Sequence, residues 1–150
     1  MKKIIIARHG DYISSGDQRL SDHGISQIEV LGNKLLPHIK GETLILTSDS
    51  LRACQSAKIL AAIFNAPIVE YGILRADNRI RMNLQRAWLL INERGRDVDV
   101  LVLVTHFEYT ESLPQLIEEK LFGTSTFPYA EVGKGGAWII DCEMKTCSEA

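Results

Sequence analysis

Short apolar runs alternate with helix-patterned segments along this chain, and that alternation limits the folds open to it. Residues 3–7 (Lys3, Ile4, Ile5, Ile6, Ala7) form a continuous apolar run, as a strand buried on both faces requires. A helix follows, with Ser21 as its cap and Ile25, Ile28, Leu31, Leu35 and Ile39 at helical spacing. Pro37 predicts that its regular part ends near Leu36. Residues 43–46 read as a second strand. From Ser50, the positions Leu51, Cys54, Ala57, Leu60, Ala61 and Phe64 trace the buried stripe of a second helix, closed by Asn65 and Pro67. Ile68 and Val69 make a short third strand. Ile80, Leu84, Ala87, Trp88 and Ile91 mark a third helix, stopped by Gly95. Residues 98–104 are the strongest strand, with Asp99 at its entrance. Leu113, Leu116, Ile117 and Leu121 line a fourth helix, and residues 137–140 are a last strand. This order predicts an α/β fold, a three-layer α/β/α sandwich around a mostly parallel central sheet, with residues 1–150 as one domain. The glycine-rich connection over residues 123–136 is long, which suits a flap beside a site.

Composition narrows the functional classes. A length of 150 residues suffices for one core but is short for two. Hydrophobic residues at 45% and charged residues at 24% match a soluble globular chain. A formal charge of −2 gives no electrostatic case for nucleic acid or for an anionic membrane. No apolar run is long enough to span a bilayer. The apolar residues behind Met1, Lys2 and Lys3 end at Arg8, too soon for the core of a signal peptide. Cys54, Cys142 and Cys147 lack C-x-x-C spacing, so reduced thiols in a cytoplasmic protein are expected, with no disulfide framework and no zinc or other metal site.

The polar residues with chemical potential follow the strands. Arg8, His9 and Gly10 come after the first, Ser48 and Arg52 after the second, Asp77 after the third, and Thr105 and His106 after the fourth. In a parallel sheet these ends share one edge, where ligands of α/β proteins bind. Two guanidinium groups and two imidazoles on one crevice suit a phosphoryl group, whose charge is about −2 near neutral pH. Guanidinium forks match phosphoryl oxygens better than ammonium groups do. The helix starting near Ser50 adds free backbone N–H groups and the positive end of its dipole. A neutral imidazole nitrogen is a competent nucleophile toward phosphorus. The flanking arginines are expected to depress the pKa of His9 and keep it unprotonated.

Arg8-His9-Gly10 resembles the signature of the histidine phosphatase superfamily, also called phosphoglycerate-mutase-like. Leu20-Ser21-Asp22-His23-Gly24-Ile25-Ser26-Gln27 resembles its L-[ST]-x-x-G-x-x-Q segment. Ser48-Asp49-Ser50-Leu51-Arg52-Ala53-Cys54-Gln55-Ser56-Ala57 is similar to its S-x-x-x-R-A-x-Q-T-A helix start, and Thr105-His106 to the strand end carrying its second catalytic histidine. The resemblance implies a phosphoglycerate-mutase-like fold and a metal-independent phosphatase that needs no cofactor. His9 would be the nucleophile that becomes phosphohistidine. Arg8, Arg52 and His106 would hold the phosphoryl oxygens, with Gly10 and Ser48 as further substrate-binding positions.

The pattern breaks after the third strand. Many members carry there a glutamate, in an L-x-E string, that protonates the leaving group. Here the string is Leu74-Arg75-Ala76, with Asp77 one place later. Asp77 is the first candidate for the acid, Glu108 the second, and Glu70 and Asp11 remain in view. A general acid contributes about 10²- to 10⁴-fold in rate. Its loss matters least for a good leaving group such as the imidazole of phosphohistidine. That, the brevity of the chain and the aspartate after Arg8-His9-Gly10 resemble the small SixA-type phosphohistidine-phosphatase branch. The expected partner is a phosphorylated small molecule or a phosphoprotein. The competing reading is a weak or inactive member that binds phosphorylated ligands or partner proteins. A Rossmann-like nucleotide binder is disfavoured because the first loop lacks G-x-G-x-x-G.

Other conspicuous residues take plainer roles. His23 and His38 sit near helix ends, where a histidine suits the structure without chemistry. Gly133-Lys134-Gly135-Gly136 lacks Walker spacing and precedes a strand, so it reads as a turn. Arg75, Arg79 and Arg81 read as a solvated helix entry, with contact to an acidic substrate as the minority reading. Trp88 and Trp138 belong to the core or to an interface.

Overall fold

Successive side chains of a strand reach opposite faces of its sheet. In β1 (Lys3–Arg8) both sets are apolar: Ile4 and Ile6 pack on one side, Ile5 and Ala7 on the other, all fully buried. The computed structural model, which describes residues 1–150, repeats this in β2 (Thr43–Thr47) and β4 (Val100–Thr105). With β3 (Ile68–Glu70), β5 (Ala137–Asp141) and β6 (Thr146–Glu149) they form one sheet in the order β3-β2-β4-β1-β5-β6. The four strands from β3 to β1 are parallel, while β5 runs antiparallel to β1 and β6 antiparallel to β5. Val102 is the centre of the register, level with Ile5 on one side and Ile45 on the other.

Helices α1 (Asp22–Leu35) and α2 (Leu51–Phe64) cover the face that carries Ile5, Ile45 and Val102. Helices α3 (Leu84–Arg94) and α4 (Phe107–Phe122) cover the face of Ile4, Leu46 and Leu103. The result is the three-layer α/β/α arrangement. Each fully buried leucine or isoleucine contributes about 1.5–3 kcal/mol, so the two sheet faces are the main source of stability. Side chains cap three of the helices: Ser21 accepts from the Gly24 N–H, Ser50 from Ala53 and Asn83 from Arg86. No helix is long and apolar enough to cross a membrane.

Helix α1 ends at Leu35, where Pro37 predicts, and the chain leaves it as a 3-10 turn, Leu36–His38, with Ile39 beyond. Other elements differ from or extend the sequence reading. Helix α3 begins at Leu84 rather than Ile80, because the Asp77 carboxylate binds the N–H groups of Arg79 and Ile80 and holds them in a turn. Helix α4 begins well before Leu113, at Phe107, and carries Pro114 in its interior. Strand β6 escapes the pattern because Thr146, Cys147, Ser148 and Glu149 form a mostly exposed edge without a buried apolar face.

Candidate active site

β1 and β4 are neighbours, with Arg8 level with Thr105, so the next residues leave the sheet side by side. The His9 N–H donates to the Thr105 carbonyl at 3.1 Å. The rings of His9 and His106 lie 5.1 Å apart, edge to face. Arg52, in the first turn of α2, reaches both. Its Nε donates to His9 Nε2 at 3.3 Å, and its Nη2 lies 3.4 Å from His106 Nδ1. These three residues, with Arg8, line a cavity of about 440 Å³.

The turn that presents His9 requires two glycines. A Cβ on Gly10 would lie 2.7 Å from the Gly24 carbonyl oxygen, and a Cβ on Gly24 would lie 1.9 Å from that of Asp11. Three side chains then fix the loop backbone. Gly10 N–H donates to Ser56 Oγ at 3.1 Å, Asp11 N–H to Gln27 Oε1 at 2.8 Å, and Leu20 N–H to Gln55 Oε1 at 2.7 Å. Gln27, Gln55 and Ser56 are therefore scaffold, although they belong to the same sequence motifs as the candidate site residues.

His9 Nδ1 is 2.8 Å from the Gly10 carbonyl, which can only accept. The proton therefore sits on Nδ1 and the lone pair on Nε2. Burial pushes this imidazole down to about 4, with smaller contributions from Arg52, Arg8 and Lys134; the bond to Gly10 opposes them. The direction agrees with the sequence reading, but desolvation outweighs the arginines. Burial also drives His106 down to about 3, assisted by His9 and Arg52.

Arg8 donates to the Val132 carbonyl at 3.2 Å and lies over the Phe107 ring at 5.1 Å. Its Nε is shut from solvent and has no partner. Arg52 lies over the Tyr12 ring at 4.7 Å and donates from Nη1 to Gln18 Oε1 at 3.2 Å. Gln18 holds a left-handed backbone, φ 57°, a conformation that costs a non-glycine residue energy. Lys134 pairs with Asp11 at 3.2 Å and sits 4.9 Å from the Tyr12 ring. Beside it, the Gly135 N–H is shared between the carbonyls of Arg8 and His9, with φ at 74°. The 133–136 segment is a turn, and it closes one side of the site. Sequence reasoning missed Tyr12, Gln18 and Lys134. Only the adjacency of Tyr12 to the Arg8-His9-Gly10 string offered a signal.

Two of the four candidate acids line the cavity, Asp77 and Glu108. Asp77 accepts from the N–H groups of Arg79 (2.8 Å) and Ile80 (2.9 Å) and from Arg75 Nε (3.1 Å). These bonds, that from Arg79 first, hold its carboxyl below the ordinary range. It is a fixed carboxylate in the wall. Thr105 Oγ1 and the Tyr109 hydroxyl pin the same loop by donating to the carbonyls of Leu74 and Ile73. Glu108, in the first turn of α4, faces the cavity and its charge acts on Arg8. Asp11 is engaged by Ser21 and Lys134, and Glu70 lies toward Cys54. Gly10 and Ser48 do not line the cavity: the Gly10 carbonyl orients His9, and the Ser48 hydroxyl lies 2.8 Å from His106 Nε2. No three His, Cys, Asp or Glu side chains converge to hold a metal ion.

Residues 4–76 match the model of the histidine phosphatase superfamily (branch 1). No curated protein matches the sequence. Among solved structures, a chain from Agrobacterium tumefaciens, described provisionally as the phosphohistidine phosphatase SixA, is similar at 18% identity. The TM-score is 0.68, covering 93% of this chain and 91% of that one. The protein histidine phosphatase SixA complexed with tungstate is similar at 17% identity and TM-score 0.70, with 99% and 94% covered. Mycobacterial glucosyl-3-phosphoglycerate phosphatase is similar at 15% identity and TM-score 0.67, with 100% and 97% covered. At such identities these structures establish a shared fold.

Proposed function

Because residues 4–76 match the model of the histidine phosphatase superfamily, we propose that this chain is a phosphatase working through phosphohistidine on His9, with phosphohistidine in proteins as its substrate class. The observation that carries the reading is the state of His9. Its Nε2 lone pair accepts from Arg52 at the wall of a cavity that Arg8, Arg52 and His106 also line, while Nδ1–H is anchored on Gly10.

On substrate binding, phosphoryl oxygens take N–H groups of Arg52 and Arg8, which line the cavity, and this frees His9 Nε2. That nitrogen attacks phosphorus, the bond to the leaving group breaks, and the departing atom keeps the electron pair. Water then attacks phospho-His9, returning the imidazole and releasing inorganic phosphate. The guanidinium groups supply the positive charge that the transferring oxygens require. Loss of either arginine should cost about 10²- to 10³-fold in turnover, as for other preorganised donors.

The leaving group decides the substrate class. Ala76 stands where the acid would be, and Asp77 is held as a carboxylate by three donors. A leaving group that departs readily, such as the imidazole of phosphohistidine, makes the smallest demand on such a site. Two of the similar structures carry phosphohistidine-phosphatase names, which supports the same reading.

The test compares an aryl phosphate with a phosphohistidine peptide, in EDTA, for the wild-type chain and His9→Ala. Turnover in chelator, faster on the peptide and abolished in the variant, is the expected result. Phosphate binding without turnover of either compound would instead identify a non-catalytic binder. Asp77→Asn should leave turnover within about threefold, since asparagine still accepts from Arg79 and Ile80 and only a partly exposed ion pair is lost. A large loss confined to the poorer leaving group would restore Asp77 as the acid, whereas the same loss in Glu108→Gln would assign that role to Glu108.

A further inference from the structure

His106 poses a problem that the phosphatase reading leaves open. In the empty site its Nδ1 lies against Arg52 Nη2, which can only donate, so Nδ1 is an acceptor and the ring proton sits on Nε2. A ring in that tautomer offers a phosphoryl oxygen a lone pair, which repels it. To hold the oxygen, Nδ1 must carry a proton. One route is a doubly protonated ring, which would keep Nε2–H on Ser48 and bury a second cation beside Arg52. The other route is to move the proton from one nitrogen to the other.

The surroundings of Nε2 suit the second route. Ser48 Oγ lies 2.8 Å from it and Ser50 Oγ 3.4 Å, and the two hydroxyls are 3.2 Å apart. All three side chains are buried. A hydroxyl both donates and accepts, so this pair can answer either tautomer of the ring. A carbonyl or carboxylate at the same position would lock the proton on Nε2.

We infer that Ser48 is a positioning residue which, with Ser50 behind it, lets neutral His106 change from acceptor to donor at Nδ1 when a phosphoryl group enters. This rests on the proposed phosphoryl site. In the empty state Nε2–H donates to Ser48 and the Ser48 hydroxyl donates to Ser50. In the occupied state the chain reverses: Ser50 donates to Ser48, Ser48 donates to Nε2, and Nδ1–H donates to the phosphoryl oxygen. The ring releases its Nε2 proton to solvent and takes one from solvent at Nδ1, so its charge is unchanged and each serine keeps its own proton. Arg52 is the trigger, because its N–H leaves Nδ1 for the incoming anion.

The experiment is ¹⁵N NMR of the histidine rings in the full chain, with and without orthovanadate, for the wild type, Ser48→Ala and Ser48→Thr. In the wild type, Nε2–H without vanadate and Nδ1–H with it, the ring remaining neutral, is the expected result. Ser48→Ala should fail to show the neutral Nδ1–H form with vanadate and should lose about tenfold or more in kcat, as for a weakened transition-state donor. Ser48→Thr, which keeps the hydroxyl, should restore both. Vanadate binding with the proton still on Nε2, or with an imidazolium in the wild type, overturns the inference alone. So does a wild-type response in Ser48→Ala. Absence of vanadate binding overturns the phosphoryl site together with it.

Discussion

A histidine that is to attack phosphorus, as proposed for His9, has to be unprotonated, and at residue scale the site keeps it so mainly by removing it from water. With its pKa near 4, its Nε2 lone pair is available well below neutrality. The same shift has a cost in the fold. The unfolded chain binds a proton at each of these two histidines below about pH 6.5, whereas folded His9 and His106 resist until about 4 and about 3. Stability is therefore unaffected by them above neutral pH and falls as the pH drops from about 6.5 toward 4, by up to about 1.4 kcal/mol per unit for each group. Replacing His9 with asparagine, which does not titrate, should flatten part of that decline in urea melts run between pH 7 and 4.5. An unchanged slope would mean that His9 is not held neutral by its surroundings.

At the scale of elements, the approach of α1 to the turn after β1 decides whether His9 is presented at all. Gly24→Ala would place a methyl group 1.9 Å from the Asp11 carbonyl oxygen, where neither backbone can yield cheaply. Overpacking of this kind costs about 1–3 kcal/mol, and the turn carrying His9 has to move to relieve it. The variant should lose both denaturant stability and turnover, whereas Gly133→Ala, with open space around its Cβ position, should keep both. Equal behaviour of the two variants would remove the close approach from the account. This contact also marks the limit of what the sequence displayed. Strands β1, β2 and β4 were legible because both faces are buried and the apolar run is continuous. Arg8, His9, Arg52 and His106 were legible because each follows such a strand or opens the next helix. Gln18, which lines the cavity, and Lys134, whose charge acts on His9, were not, because they sit on loops whose course depends on distant partners, Arg52 and Asp11. Asp77 was found, yet its role was hidden, since the turn it holds at Arg79 and Ile80 carries no periodic signal.

At the scale of the molecule, the site is a junction of otherwise separate pieces: the ends of β1 and β4, the first turn of α2, the loop after β3 and the 133–136 turn. Cations from three of them, Arg8, Arg52 and Lys134, act on one buried imidazole. An anion that neutralises them stabilises the junction, and a ligand binding only the folded state at a hundred times its Kd adds about 2.7 kcal/mol. For a chain of this size each kcal/mol raises Tm by roughly 2–4 °C, so saturating tungstate should raise it by about 5–10 °C. Arg52→Gln should abolish that rise without lowering the Tm of the empty protein, because its guanidinium is buried beside two neutral imidazoles and has no carboxylate partner. A variant that gains as much from tungstate as the wild type would show that the anion binds elsewhere, and the convergence of the strand ends would then have to be explained without a phosphoryl group.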